Sequence, residues 1–246
     1  MNKDLIAIIA ALDDEIRIVH SKMTVDEKIH IKPSVITRGQ LNKRDILLAR
    51  SGIGKMAMQN AVDYCLSNFK PSFCLNVGYA GGTTPHMSAG DLIIATTVID
   101  QENGRSYSAD TSLVDKAGSI CRQKELKAMR GGLVTVGRVI PTPHEKAFIG
   151  TEHDALAIDM ESSSFMERCL AAGVPAIVVR AILDPLDVAL PDMNDVIGAN
   201  GKMSLNRVAG HLVHHPKDTL ALHKIEYCAI KAREAIAELV EAWTSL

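Results

Sequence analysis

The sequence predicts an α/β fold, a largely parallel or mixed sheet covered by helices, and three observations point there. Short apolar runs recur through the first three quarters of the chain, segments with helical spacing lie between several of them, and polar residues gather just after the runs. Runs that are apolar without alternation read as strands buried on both faces.

The first such strand is residues 5–9, followed by the acids Asp13, Asp14 and Glu15. The second is 46–49, leading through Gly52-Ile53-Gly54-Lys55 into a helix over residues 56–69. A third run at 73–75 leads into Asn76-Val77-Gly78-Tyr79-Ala80-Gly81-Gly82, and further strands are read at 92–95 and 133–134. The strand at 155–158 is followed by Asp159-Met160-Glu161 and a helix over 160–172, in which Phe165, Met166, Cys169 and Leu170 fall on one face. The last strand, 176–179, continues through Arg180-Ala181-Ile182 to Asp184. Residues 185–216 hold Pro185, Pro191, Gly198, Gly201, Gly210 and Pro216 and read as the most loop-like stretch, with a short helix near 205–212. A long helix is expected over 218–243, because Leu222, Ile225, Ala229, Ala232, Ile236, Leu239 and Trp243 recur every three or four residues after Pro216.

With 246 residues, 47% hydrophobic and 23% charged, the chain has material for one large core, so a single domain over 1–246 is expected. A formal net charge of -2, without a basic run, gives no electrostatic footprint for nucleic acid. The apolar start runs into Asp13, Asp14 and Glu15, where a signal peptide would need small residues, and no run is long enough to span a bilayer. Cys65, Cys74, Cys121, Cys169 and Cys228 are widely spaced and odd in number, which reads as buried free thiols in a reducing cytoplasm.

The polar residues carry the functional reading. Strand ends of a parallel sheet converge on one edge, where open α/β folds place their ligands, so the acids after residue 12, the segment 76–82, Glu161 and Asp184 would share one crevice. Each acid alone has a competing reading as first-turn helix chemistry. Glu161 opens a helix directly after an apolar strand, a depth at which a carboxylate needs a hydrogen-bond partner. Asp184, between Leu183 and Pro185 after apolar residues, has surroundings that raise a carboxyl pKa and suit a general acid; a turn-starting Asp-Pro is the alternative.

Other motifs point away from other chemistries. Gly52-Ile53-Gly54-Lys55 lacks the third glycine of a dinucleotide fingerprint, and Met56 stands where a phosphate loop needs Ser or Thr; the safer reading is a tight turn with backbone N–H groups open to a ligand. His211, His214 and His215 lack the glutamate of a zinc-protease signature, and His144 and His153 read as surface residues, so no metal is expected. Ser162, Ser163 and Ser164 read as helix-start residues, and no nucleophile elbow is present.

With those residues on view, the chain resembles the nucleoside phosphorylase and nucleosidase superfamily, especially its methylthioadenosine/S-adenosylhomocysteine nucleosidase branch. The likeness rests on residues 8–16, 51–57, 76–82, Gly90-Asp91-Leu92-Ile93, 157–163 and 178–184. Within the superfamily, Thr142-Pro143-His144-Glu145-Lys146-Ala147, Asp159-Met160-Glu161-Ser162, and Asp184-Pro185 through Pro191 are similar to the hopanoid-associated phosphorylase group. The resemblance implies a three-layer fold whose central mixed sheet partly closes into a barrel, assembled as dimers or larger homo-oligomers, without metal or organic cofactor. It implies cleavage of the N-glycosidic bond of an adenine-type nucleoside with a 5′ substituent, with adenosylhopane, methylthioadenosine and S-adenosylhomocysteine as candidates. Asp184 would protonate or hydrogen-bond N7 of the departing purine. Glu161 would hold the ribose 2′-hydroxyl with Met160 against the sugar, and Glu15 would bind or activate attacking water. Gly78, Ala80 and Gly81 would let backbone approach the base, and Ile140 and Pro141 would lie against its ring.

Two positions depart from the family pattern. Asn76 stands where phosphorylases carry an arginine, and Tyr79 where both branches commonly have a serine. Water and phosphate therefore both remain open as nucleophile, with Arg17, Arg38 and Arg50 either replacement cations or solvated surface residues. A catalytically silent nucleoside-binding protein of the same fold is the alternative function.

Overall fold

The computed structural model describes residues 5–186 and 218–245, and the side chains of the last helix from Lys224 on. In chain order the elements are β1 (Ile6–Ala10), α1 (Asp13–Lys22), β2 (Thr24–Ile31), β3 (Ser34–Leu41), β4 (Arg44–Arg50), α2 (Lys55–Phe69), β5 (Phe73–Gly82) and β6 (Leu92–Asp100). Then come β7 (Ser106–Ser108), α3 (Thr111–Gln123), β8 (Ala128–Thr135), α4 (Pro143–His153), β9 (Ala155–Asp159), α5 (Ser162–Ala171), β10 (Ala176–Asp184) and α6 (Asp218–Ser245). Each apolar run read as a strand falls in one, as β1, β4, β5, β6, β8, β9 and β10, with only Leu5 left just ahead of β1.

One mixed sheet runs in the order β10-β6-β8-β9-β5-β1-β4-β3-β2, and β10 pairs again with β5. That pairing closes β10, β6, β8, β9 and β5 into a five-strand barrel, from which β1, β4, β3 and β2 extend. Parallel pairing of β1 with β4 and β5, and of β5 with β10, explains why these strands carry no polar alternation: every residue of β1 is buried. Helices cover both faces. On one side Ile16 and Val19 of α1, Ala117 and Ile120 of α3, and Ile236 and Trp243 of α6 form one apolar cluster; on the other, Met58 and Val62 of α2 pack with Phe165 and Met166 of α5.

The β2–β3 hairpin was not signalled, because β2 is mostly exposed and reads Thr-Val-Asp-Glu-Lys-Ile-His-Ile, charged rather than apolar. α5 begins at Ser162 rather than residue 160, because β9 runs to Asp159, the chain bends at Met160 and Glu161 takes the N-cap position. The long final helix forms as expected and reaches Ser245. The loop-like stretch, its short helix near 205–212 and the histidines at 211, 214 and 215 fall almost wholly outside the described residues.

Candidate active site

The ends of β1, β5, β9 and β10 meet at one mouth of the barrel, around a cavity of about 240 Å³. Glu15, Glu161 and Asp184 all line it, together with Tyr79, Ala80, Gly81, Ile140 and Met160. Three acids separated by most of the chain converge because parallel pairing aligns the ends of β1, β5 and β10, which lead to Glu15 and Asp184, while the antiparallel β5–β9 pairing, with Gly81 beside Ile158, brings Glu161 to the same mouth.

Glu15 sits in the first turn of α1, and its carboxylate folds back over the helix start. Oε2 accepts from the backbone N–H groups of Ala11 at 2.9 Å and Leu12 at 2.8 Å, and Oε1 accepts from that of Tyr79 at 2.8 Å. Burial raises its pKa above the ordinary carboxylate value, opposed by the Arg180 charge and those three N–H groups. The same side chain thus both caps its own helix start and lines the cavity.

Glu161 is held by the turn that precedes α2. Gly54, at φ 95°, donates its N–H to Glu161 Oε1 at 2.7 Å. The expectation that this turn offers free N–H groups to a ligand is corrected at Gly54, whose N–H already serves the acid. Lys55 beside it points to Asp100 and Glu102, at 2.8 Å from each. Burial, and then the neighbouring Asp159, push the Glu161 pKa up to about 8.

Asp184 ends β10 and is 5% exposed. Its Oδ2 lies 2.9 Å from Nζ of Lys146, and burial raises its pKa while that ammonium pulls the other way. Gly81 makes room for the carboxyl group, since a Cβ there would stand 3.1 Å from Oδ2.

Behind the cavity runs a buried polar network that centres on Arg180. Its Nε donates to Asp159 Oδ2 at 2.8 Å, and Nη2 donates to Ser162 Oγ at 2.8 Å and to Asn76 Oδ1. Asp159 Oδ1 in turn accepts from Thr135 Oγ1 at 2.8 Å, and Asn76 donates to the carbonyl of Ile9 at 2.8 Å. Asn76, expected as a binding residue, is therefore fully buried behind the wall with both ends of its amide engaged. Gly78 and Pro141 also stand outside the cavity lining, whereas Ile140 is in it. Gly78 acts at one remove, because its missing side chain leaves space for Arg180 and Glu15.

Tyr79 forms a wall fixed from outside: its hydroxyl donates to Asp14 Oδ2 at 2.6 Å, and Arg233 of α6 donates to Asp14 Oδ1 at 2.6 Å. The serines at the start of α5 serve structure, Ser162 bonding Asp159 and Ser163 donating to Asp100 Oδ2 at 2.8 Å.

The cations weighed from sequence lie elsewhere. Arg17 and Arg38 are exposed, and Arg50 lines an outer groove beside Asp13. The cation beside Glu15 and Glu161 is Arg180, which the sequence reading passed over although an arginine within Val178-Val179-Arg180-Ala181-Ile182 signals a buried, paired charge. Lys146, also missed, has no such signal, since it stands between Glu145 and Ala147 in a segment that reads like any surface helix. All five cysteines are buried and free, and His144 is exposed while His153 is half-buried. Among the described residues no group of three or more His, Cys, Asp or Glu could hold a metal ion, and no helix is long and apolar enough to cross a membrane.

Comparison with known proteins adds an independent line. A sequence model of the phosphorylase superfamily matches residues 5–214. The 5′-methylthioadenosine/S-adenosylhomocysteine nucleosidase of Staphylococcus carnosus is 30% identical over 196 residues, covering 73% of this chain and 86% of that protein. The nucleosidase of the same description from Geobacillus thermodenitrificans is 29% identical, over 72% of this chain and 83% of its own. Among solved structures, the Neisseria meningitidis nucleosidase in complex with methylthio-immucillin-A superposes with a TM-score of 0.79 at 20% identity, covering 99% of this chain and 100% of that one. The futalosine hydrolase of Helicobacter pylori gives a TM-score of 0.72 at 20% identity, over 96% and 97% of the two chains. These two structural likenesses speak to the fold.

Proposed function

The chain belongs to the phosphorylase superfamily, and from that premise we propose that it is a nucleosidase that releases adenine from a 5′-substituted nucleoside with water as the nucleophile. The observation that carries the reading is the convergence of Glu15, Glu161 and Asp184 on one small cavity, with backbone N–H groups or a cation on each.

In this reading Asp184 gives a proton to N7 of the purine as the C1′–N9 bond breaks, so the base departs neutral. Burial supports it by keeping the carboxyl protonated further up the pH scale. Glu161 holds the ribose 2′-hydroxyl beside Met160, and the oxocarbenium-like sugar is stabilised by the acids around it. Glu15, braced by three N–H groups, takes the proton of the attacking water.

Electrostatics favour water over phosphate. A phosphate dianion in the cavity would meet Glu15 and Asp159, and of the nearby guanidinium groups Arg180 is already bonded to Asp159, Asn76 and Ser162 and Arg138 is paired with Glu145. The curated relatives, described as nucleosidases, agree. Methylthioadenosine and S-adenosylhomocysteine are the first substrates on that basis; the sequence likeness to the hopanoid-associated group makes adenosylhopane the further candidate. A dimeric or larger assembly rests on the family resemblance.

The test is a panel of these nucleosides, with adenosine, inosine and futalosine, assayed with and without phosphate. Adenine together with a free reducing sugar, at a rate independent of phosphate, is the expected result. A ribose 1-phosphate ester would overturn the water reading, and binding without base release from any member would favour the silent binding protein.

A further inference from the structure

Lys146 is the most unusual side chain beside the cavity. It lies on α4 and is 0% exposed, yet it carries an ammonium group. Such a charge needs partners to offset its lost hydration. Among the described residues its partners at and just beyond the end of β10 are Asp184 Oδ2 at 2.9 Å, the carbonyl of Asp184 at 3.3 Å and the carbonyl of Pro185 at 3.2 Å. The two carbonyls are neutral and permanent, so the cation keeps them whether Asp184 is protonated or not.

We infer that Lys146 is the positioning residue of the acid, clamping Oδ2 and the backbone of Asp184 so that Oδ1 is the oxygen presented to the purine. The inference rests on the proposed nucleosidase reading and deepens it. As C1′–N9 breaks, its electron pair stays with the base, N7 takes the proton from Oδ1, and Asp184 is left as a carboxylate. That negative charge then forms 2.9 Å from a cation already in place, so little reorganisation accompanies the proton transfer. Glu15, Glu161, Asp159 and Arg138 also face the cavity, but Lys146 is the cation bonded to Asp184.

The sign of the effect follows. A cation beside a carboxyl group makes it the stronger acid, whereas burial makes it the weaker one. Without Lys146 the acid would hold its proton to higher pH, release it less readily and be free to turn.

The experiment combines Lys146→Met, Asp184→Asn and the double variant, assayed for adenine release across pH. In Lys146→Met we expect turnover to fall about tenfold or more, within the range general acids contribute. The alkaline limb of the profile should move up by about 1–3 pH units, the effect of one adjacent charge. In the Asp184→Asn background the same change should cost nothing further, because Lys146 acts through Asp184. An unchanged profile, or an equal loss in both backgrounds, would overturn the inference. If the Met variant does not fold, Lys146→Gln retains a donor for the carbonyls without the charge and is read the same way. A wild-type enzyme that releases no base from any nucleoside would instead refute the nucleosidase reading itself, and this inference with it.

Discussion

Arg180 and Glu15 approach each other across the missing side chain of Gly78: a Cβ on that glycine would stand 2.6 Å from Arg180 Nη1 and 2.8 Å from Glu15 Oε1. The glycine is required by this close approach and not by backbone shape, since it lies in the middle of β5 with no positive φ. Gly78→Ala should therefore fold and lose activity. Displacing a reacting group by about 1 Å can cost on the order of a hundredfold in rate, so we expect turnover to fall at least tenfold, with stability lowered by about 1–3 kcal/mol as the methyl group overpacks the buried Arg180. Wild-type turnover in the purified variant would show that the positions of Arg180 and Glu15 do not depend on the open space at Gly78.

Arg180 itself holds the wall together. Replacing it with Met leaves Asp159, 7% exposed, as an uncompensated buried carboxylate, and breaking a buried pair in this way costs about 3–5 kcal/mol. Adding Asp159→Asn should restore much of that loss, because the remaining charge is removed. Denaturant unfolding of the single and double variants gives the comparison; a double variant no more stable than Arg180→Met would contradict the pairing.

How much of this was legible in the sequence depends on what each residue's neighbours along the chain reveal. The seven apolar runs were readable as strands because burial on both faces leaves no polar alternation, and Glu15, Glu161 and Asp184 were readable because they interrupt or end such runs. The closure of the sheet was implied only by the family resemblance, since the β5–β10 pairing joins residues about a hundred positions apart, as Arg180 with Gly78. Asn76 was misplaced because β5 turns its amide toward Ile9 and Arg180, behind the cavity, a direction that depends on strand register. Lys146 could not be found because an ordinary helix sequence hides which of its charged residues faces inward.

The raised Glu161 pKa makes stability depend on pH in a defined direction. Its folded value, about 8, lies above the ordinary value of 4.5, so between the two the folded protein binds more protons than the unfolded one. The stabilising effect is complete below the unfolded value and is lost as pH rises through the folded one. Glu15 and Asp184, also raised, act with the same sign. The free enzyme should be less stable at pH 8.5 than at pH 5, with Glu161 contributing roughly 3–5 kcal/mol at most. Glu161→Gln, which keeps an acceptor for the Gly54 N–H, should flatten the dependence. Thermal midpoints against pH for both proteins measure this, and parallel curves would remove Glu161 from the account.

The same residue is the one our proposal places against the ribose 2′-hydroxyl. Glu161 Oε1 is occupied by the Gly54 N–H at 2.7 Å, so the other carboxyl oxygen is the one a ribose 2′-hydroxyl would meet, at a site where the side chain is only 8% exposed. A 2′-deoxynucleoside would leave that oxygen buried without a partner, and a site built around a hydroxyl rejects the analogue lacking it by far more than one lost methylene would suggest. We expect the specificity constant for the 2′-deoxy analogue of the best substrate to fall by about two orders of magnitude or more. Glu161→Gln should narrow the gap between the two sugars, chiefly by slowing the ribo substrate, because an amide offers the 2′-hydroxyl a different donor and acceptor pattern and can never carry negative charge beside the developing sugar cation. Equal specificity constants for the ribo and deoxy substrates of the wild-type enzyme would show that Glu161 does not read the 2′-hydroxyl, and would leave its bond to Gly54 as a purely structural contact.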